Sequence, residues 1–176
     1  NENKFSLKDL PLIGDHNFKN YVAAILAARL DEISINDSIE SLKTFKGVMR
    51  RLEPIAETQN IKIYDDFAHH PTAIDFSSSA IRKKYPDKKI LGIVELGSNT
   101  MSSGHHKDNL MNSFNLLDKT LLLDHKKVYK YENTYHKIES LLSSLNEMIM
   151  DYDIILIMTN KDSQKFIKPI LKYIEK

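Results

Sequence analysis

The chain has 176 residues, 25 Lys and Arg against 24 Asp and Glu, a net formal charge of +1 and no cysteine. A domain of that length buries roughly 70% of its unfolded surface, so a self-sufficient core is possible, and 41% hydrophobic with 28% charged residues is ordinary globular composition. The balance of charge gives no case for nucleic acid or an anionic membrane as partner, and the lack of cysteine excludes disulfides and thiolate metal sites.

The amino end, "NENKFSLKDL", has no apolar core of the signal-peptide kind. The longest apolar runs, "YVAAILAA" and "IILIM", fall well short of a membrane span of ~20 residues. The expectation is a soluble, cytoplasmic protein, and the polar start running quickly into a helix reads as the cut end of a longer chain.

"DHNFKNYVAAILAARL" places Phe18, Tyr21, Val22, Ile25, Leu26 and Leu30 at the 3–4 spacing of a helix with one buried face. A second helix runs through "SIESLKTF", capped by Asn36 or Asp37 and ended by Gly47. No strand separates these two helices, so residues 1–50 read as an all-helical tail of a neighbouring domain. From Ile61 the pattern alternates. "IKIYDD" reads as a strand, "PTAIDFSSSAIRKKY" as a helix opening on Pro71, "KKILGIVEL" as a strand, "HKDNLMNSFNLL" as a helix and "KTLLLD" as a strand. "KVYKY" reads as a short or edge strand, "TYHKIESLLSSLNEMI" as a helix, "YDIILIM" as a strand and "SQKFIKPILKYIEK" as the closing helix. Continuous apolar strands suit a parallel sheet covered on both faces. Residues 51–176 are therefore expected to form a doubly wound, Rossmann-like α/β domain with a mostly parallel sheet and helices on both faces.

Glycine is scarce, at Gly14, Gly47, Gly92, Gly97 and Gly104. Gly92 and Gly97 have the separation of the first two glycines of a phosphate loop, but Ser98-Asn99 stands where Lys-Ser/Thr is required. A doubly wound domain without its own phosphate loop receives a nucleotide from elsewhere. Strand, polar turn, helix is where α/β proteins put ligand-handling groups, at the carboxyl end of a strand. In "YDDFAHHPT", Asp65, Asp66, His69 and His70 occupy that place. Taken alone they allow a zinc or magnesium site, a nucleotide or substrate contact, or a capped turn. Adjacent histidines on regular backbone point apart, which weighs against metal, and no metal site is expected. "SSGHHKD", with His105 and His106, reads as a helix start on a solvated loop. Lys161, Lys165, Lys168, Lys172 and Lys176 read as a solvated helix face.

"GDHNFKN" at 14–20, "FKGVMRRLE" at 45–53, "YDDFAHHPTAI" at 64–74 and "SNTM" at 98–101 occur in the order and spacing of one family. Together they resemble the ATP-dependent Mur ligases of peptidoglycan synthesis, well over residues 10–125 and loosely beyond. Within the family, "SNTM" points to the branch that takes a murein tripeptide rather than L-alanine. The resemblance implies an ATP- and magnesium-dependent ligase in which ATP phosphorylates a sugar-linked carboxylate and an incoming amine attacks the acyl phosphate. It implies UDP-N-acetylmuramate and the tripeptide L-alanyl-γ-D-glutamyl-meso-diaminopimelate as partners, together with an amino-terminal and a central domain that this chain lacks, so the fragment alone is expected to be inactive. It implies that His16, Asn17 and Asn20 line the adenine pocket and that Arg51 reaches the phosphates. Asp66 and His69 would meet the nucleotide from the facing domain, Asp66 through ribose hydroxyls or by orienting Arg51. Asp65 is expected to satisfy the turn's backbone, and Ser98, Asn99 and Thr100 to receive the peptide. The rival readings are the matching domain of an L-alanine ligase, a non-catalytic nucleotide- or peptide-binding module, and a metal-dependent hydrolase built on "DDFAHH".

Overall fold

The structure, a computed structural model, describes residues 4–7, 9–104 and 106–174, without the side chains of 107 and 108. His105, of the expected loop pair, and Lys176, at the end of the lysine series, lie outside the described residues. The chain divides into two compact units, residues 1–48 and 49–176.

The first unit holds α1 (Asp15–Leu30) and α2 (Ile35–Lys43). Its buried apolar residues are Leu10, Tyr21, Ile25 and Ile39, and the Tyr21 hydroxyl accepts a hydrogen bond from the Leu12 N–H at 2.7 Å. The expected stripe on α1 is narrower than its sequence suggests. Asn17, Tyr21 and Ile25 form the buried line, whereas Val22, Leu26 and Leu30 are 46%, 62% and 86% exposed. Four-residue steps put 17, 21 and 25 on one face, so Asn17 shares the buried face. On α2, Ser34 is the cap, its hydroxyl accepting from the Asp37 N–H at 3.1 Å, and not Asn36 or Asp37. The helix ends at Thr44, three residues before Gly47, which sits beyond it in a left-handed conformation at φ 93°.

The second unit is a six-stranded sheet of order β1-β2-β6-β3-β4-β5. The strands are β1 (Glu53–Glu57), β2 (Lys62–Asp66), β3 (Ile90–Glu95), β4 (Lys119–Leu123), β5 (Thr134–Tyr135) and β6 (Ile154–Met158). All pairings are parallel except β1 with β2. The doubly wound α/β expectation holds: every residue of β3 and β6 is buried, as an apolar strand inside a two-sided parallel sheet must be. One face, carrying Ile63, Leu91, Ile93, Leu121 and Ile155, packs on α6 (Ile138–Met148) and α7 (Gln164–Ile174) through Leu141, Leu145, Phe166 and Ile170. The alternate residues of β3 look the other way, where Ile74 and Ile81 of α3 (Pro71–Lys84) and Leu110 of α5 (Lys107–Asn112) are buried.

Three elements differ from the sequence reading. Strand β1 was not expected, because "EPIAE" is not apolar; it is an antiparallel edge strand with a register shift between Pro54 and Ala56, and edges tolerate proline. "KVYKY" is not a strand. The carboxylate of buried Asp124 accepts the N–H groups of Lys126, Val128 and Tyr129, which folds the segment into a turn. The edge strand lies instead at Thr134–Tyr135, where a helix start was expected, and α6 begins only at Ile138. The "SNTM" stretch forms a short helix, α4 (Asn99–Ser102), capped by Ser98.

Gly92 is required by packing. A Cβ there would stand 2.6 Å from Cδ1 of Leu117, itself buried, and 3.6 Å from Cε of Met158. Replacing Gly92 by Ala should therefore force Leu117 aside and destabilise the second unit by about 1–3 kcal/mol. A thermal melt unchanged from the parent protein would contradict this packing.

Candidate functional site

Strands β2, β6, β3 and β4 run parallel, so their carboxyl ends lie along one edge: Asp66 is level with Met158, Val94 with Met158, and Glu95 with Leu123. The "DDFAHH" turn leaves β2 at this edge. Its Asp66 carboxylate is buried and fully engaged. Oδ2 accepts from the Leu52 N–H at 2.7 Å, and Oδ1 accepts from the Ala68 N–H at 2.8 Å and the Ser77 hydroxyl at 3.0 Å. One side chain thus ties the segment before β1, the turn after β2 and helix α3.

The expectation that Asp65 satisfies the turn's backbone does not hold. Asp66, not Asp65, holds the turn's backbone. Asp65, equally buried, accepts from the Ser163 hydroxyl at 2.6 Å at the start of α7 and faces the Arg50 Nε at 3.4 Å. The reason is pleat alternation. Consecutive strand residues point to opposite faces of the sheet, so the two carboxylates meet different layers.

Arg51 is exposed, with its guanidinium 5.5 Å from the centre of the Phe67 ring. Arg50 lies against the same ring at 5.1 Å and donates from Nη2 to the Thr159 carbonyl. The backbone around Arg51 is in left-handed conformations, φ 58° at Arg50 and 49° at Leu52. Each such non-glycine residue costs on the order of 1–2 kcal/mol. Both are held: the Arg50 N–H donates to Glu53 Oε2 at 2.8 Å, its carbonyl accepts from the Phe67 N–H at 2.8 Å, and Leu52 is held by Asp66. The result is a fixed knuckle that displays Arg51. His69 stands beside it, half-buried, edge-on to Phe67 at 5.1 Å. Its Nδ1 lies 2.8 Å from the Phe67 carbonyl. A carbonyl only accepts, so Nδ1 carries a proton and Nε2 is the accepting nitrogen of the neutral ring. His70 starts α3 and meets the ring of His106 at 4.5 Å.

Ser98, Asn99 and Thr100 lie just past the end of β3, on the same edge as Asp66 with β6 between. Ser98 is half-buried, and Asn99 and Thr100 are exposed. Gly97 gives this loop its closeness to the segment after β6. A Cβ at 97 would fall 2.3 Å from Asn160 Oδ1 and 2.7 Å from Lys161 Cγ. In the first unit, Asn17 is buried and donates from Nδ2 to the Ile13 carbonyl at 2.7 Å, while exposed Asn20 donates to Asn17 Oδ1 at 3.2 Å. His16 is half-buried on the first turn of α1.

Two members of this edge escaped the sequence reading. Glu95 is buried, accepts from the Thr159 hydroxyl at 2.6 Å and takes the Lys165 ammonium on its other oxygen. Lys165 is thus drawn out of the expected solvated series, a contact with no local sequence signal because the partners are 70 residues apart. Among the described residues, no group of three or more His, Cys, Asp or Glu side chains is placed to hold a metal ion.

Such an edge, with a polar turn at the carboxyl end of an inner strand of a mostly parallel sheet, defines a Rossmann-like α/β domain. Residues 50–133 match the family described as Mur ligase, glutamate ligase domain. The chain is 39% and 41% identical over 113 residues to the UDP-N-acetylmuramate–L-alanyl-γ-D-glutamyl-meso-2,6-diaminoheptandioate ligases of Haemophilus influenzae and Escherichia coli, an overlap of 64% of this chain and 25% of each of those. It spans about a quarter of the length of these relatives. A crystal structure of a murein peptide ligase from Psychrobacter arcticus superposes with a TM-score of 0.68 at 29% identity, covering 93% of this chain and 38% of that one. The chain belongs to the Mur ligase family and carries its carboxyl-terminal domain. No helix among the described residues is long and apolar enough to cross a membrane.

Burial raises both Asp65 and Asp66 above the ordinary aspartate value, with hydrogen bonds to Ser163 in one case and to Leu52, Ala68 and Ser77 in the other pulling back. For a carboxylate raised on folding, the native state holds the proton more tightly than the unfolded state. Its contribution to stability is therefore most favourable below the unfolded value and declines as pH rises through the raised folded value. Acidifying from neutrality into the ordinary aspartate range should offset part of the loss from other groups. The urea midpoint of an Asp65→Asn variant should show less of that offset than the parent, and identical pH profiles would count against the buried-charge account.

Proposed function

We propose that this chain is the carboxyl-terminal part of an ATP-dependent ligase that joins L-alanyl-γ-D-glutamyl-meso-diaminopimelate to UDP-N-acetylmuramate in the recycling of peptidoglycan, in the cytoplasm. The observation that carries the reading is the identity of 39–41% to two ligases of that name, against 26–36% to L-alanine ligase relatives. The second reading, an L-alanine ligase, is favoured by overlap, since the Porphyromonas gingivalis L-alanine ligase aligns over 90% of this chain at 26% identity.

On this proposal residues 1–50 are the end of the central ATPase domain. His16, Asn17 and Asn20 serve the adenine, Arg51 the phosphates, His69 the nucleotide through Nε2, and Ser98, Asn99 and Thr100 the incoming peptide. A guanidinium displayed on an aromatic ring keeps its donor fork open to phosphate oxygens. The saturated hydrogen bonding of Asp66 supports the second of its two expected roles: it positions Arg51 through the Leu52 N–H and does not itself grip ribose. ATP would transfer its phosphoryl group to the sugar-linked carboxylate, and the peptide amine would displace phosphate to form the amide. Magnesium accompanies ATP in this chemistry by family resemblance, and the described residues offer it no cluster, so no step is assigned through it.

The test is phosphate release by the full-length enzyme with UDP-N-acetylmuramate, ATP and either acceptor. The tripeptide should support turnover well above L-alanine, and the reverse preference would overturn the proposal in favour of the second reading. The 176-residue chain alone should release no phosphate above a no-protein control, because it holds no phosphate loop.

Arg51 and Asp66 should behave as one unit. In the full-length enzyme, each change to Ala should lower kcat/KM by ~10²-fold. The double variant should lose less than the two singles combined, because Asp66→Ala already releases the knuckle that aims Arg51. Strictly additive losses would break this pairing.

A further inference from the structure

Beyond the ends of β4 and β5, outside every residue discussed for nucleotide or peptide, lies an open cleft of about 630 Å³. It is lined by His125, Lys127, Tyr135, His136, Lys137 and Ser140 among others, and by no acidic side chain. Asp124 builds one wall. Its carboxylate takes the N–H groups of Lys126 at 3.1 Å, Val128 at 2.6 Å and Tyr129 at 2.8 Å, which turns the chain back and leaves Lys127 at φ 58°. The other wall is β5 and the approach to α6. There His136 Nδ1 lies 2.9 Å from the Asp124 carbonyl, and His125 Nδ1 lies 3.3 Å from the His136 carbonyl. Both contacts require a protonated Nδ1, so the two imidazoles are fixed to each other's strands. Glu139, on the first turn of α6, is not part of the lining.

A cleft lined by two lysines, two oriented imidazoles and hydroxyl groups, with the Asp124 carboxylate turned to backbone N–H groups and the Glu95 carboxylate held by Thr159 and Lys165, presents a net positive field to an anion. Its place on the sheet says which anion. The order along the carboxyl edge is β2, β6, β3, β4, β5. The Arg51–Asp66 turn belongs to β2, the Ser98–Thr100 loop to β3, and the cleft to β4 and β5 on the far side of that loop. His125 links the last two, with Nε2 3.4 Å from Glu95 Oε1 at the end of β3. The geometry points to the cleft as a carboxylate-binding site that holds the acidic end of the acceptor, beyond its reacting amine. This rests on the proposal that the loop after β3 receives the acceptor.

The probes are the dipeptide alanylglutamate, its fully amidated counterpart and inorganic phosphate, each titrated into the 176-residue chain and followed by NMR. The acidic dipeptide should shift the ring signals of His125 and His136 saturably, and the amidated form should not. The double variant Lys127→Gln, Lys137→Gln should weaken binding by about ten-fold or more. The exposed pair Lys168→Gln, Lys172→Gln on α7 should leave it unchanged. Absence of a saturable shift, equal binding of the amidated form, equal weakening by the α7 pair, or phosphate binding as tightly as the acidic dipeptide each overturns the carboxylate site. Backbone shifts at Ser98–Thr100 report separately on the acceptor loop. Saturable binding at the cleft that leaves them still removes the acceptor assignment while the cleft's own chemistry stands.

Discussion

The buried carboxylate of Asp66 is the joint on which the rest of this edge depends. It gathers the Leu52 N–H, the Ala68 N–H and the Ser77 hydroxyl, groups that otherwise belong to three separate segments. Burying an ionised carboxylate is unfavourable unless its lone pairs are filled. Here the two oxygens accept three hydrogen bonds, so the loss of hydration is offset in part by donors that must then stay in place. The knuckle before β1, the turn after β2 and the first half of α3 are fixed by the same requirement.

Asp65 is buried on the other face of the sheet and is engaged through Oδ2 alone, its Oδ1 meeting no hydrogen-bond donor. Its partners, Ser163 and Arg50, come from the start of α7 and from the knuckle. Arg50 also reaches the Thr159 carbonyl just past β6, while Glu95 takes the Thr159 hydroxyl from β3. Three neighbouring strand ends are thereby cross-linked by side chains where the backbone ladder stops. A rigid edge of this kind suits a surface that has to present Arg51, His69 and the loop after β3 in fixed relation. It also explains why two left-handed residues persist around Arg51: the surrounding bonds over-determine them.

Fold and site were legible to different degrees, and the pattern follows from what each signal encodes. Wholly apolar strands such as "IILIM" can only be the middle of a covered sheet, so the α/β layering could be read directly. Edges could not. "EPIAE" pairs by backbone alone and carries little side-chain signature, and "KVYKY" has strand-like composition but loses its N–H groups to Asp124. The stripe on α1 was misjudged because periodicity shows that a face is apolar and does not show how much of it is covered.

The sequence by itself determined the family, through four short motifs in register, and with it the strand–helix order and the location of the polar turn at the end of β2. These depend on local pattern and spacing, which the chain carries in one dimension. Only the tertiary structure decided which of two adjacent aspartates holds the turn, which of two adjacent arginines is clamped and which displayed, that Lys165 leaves its helix face for Glu95, and that basic residues beyond β4 enclose a cleft. Those outcomes turn on which sheet face a side chain meets and which donor arrives there, and decisive partners such as Leu52 for Asp66 and Thr159 for Arg50 lie 14 and 109 residues away in the chain.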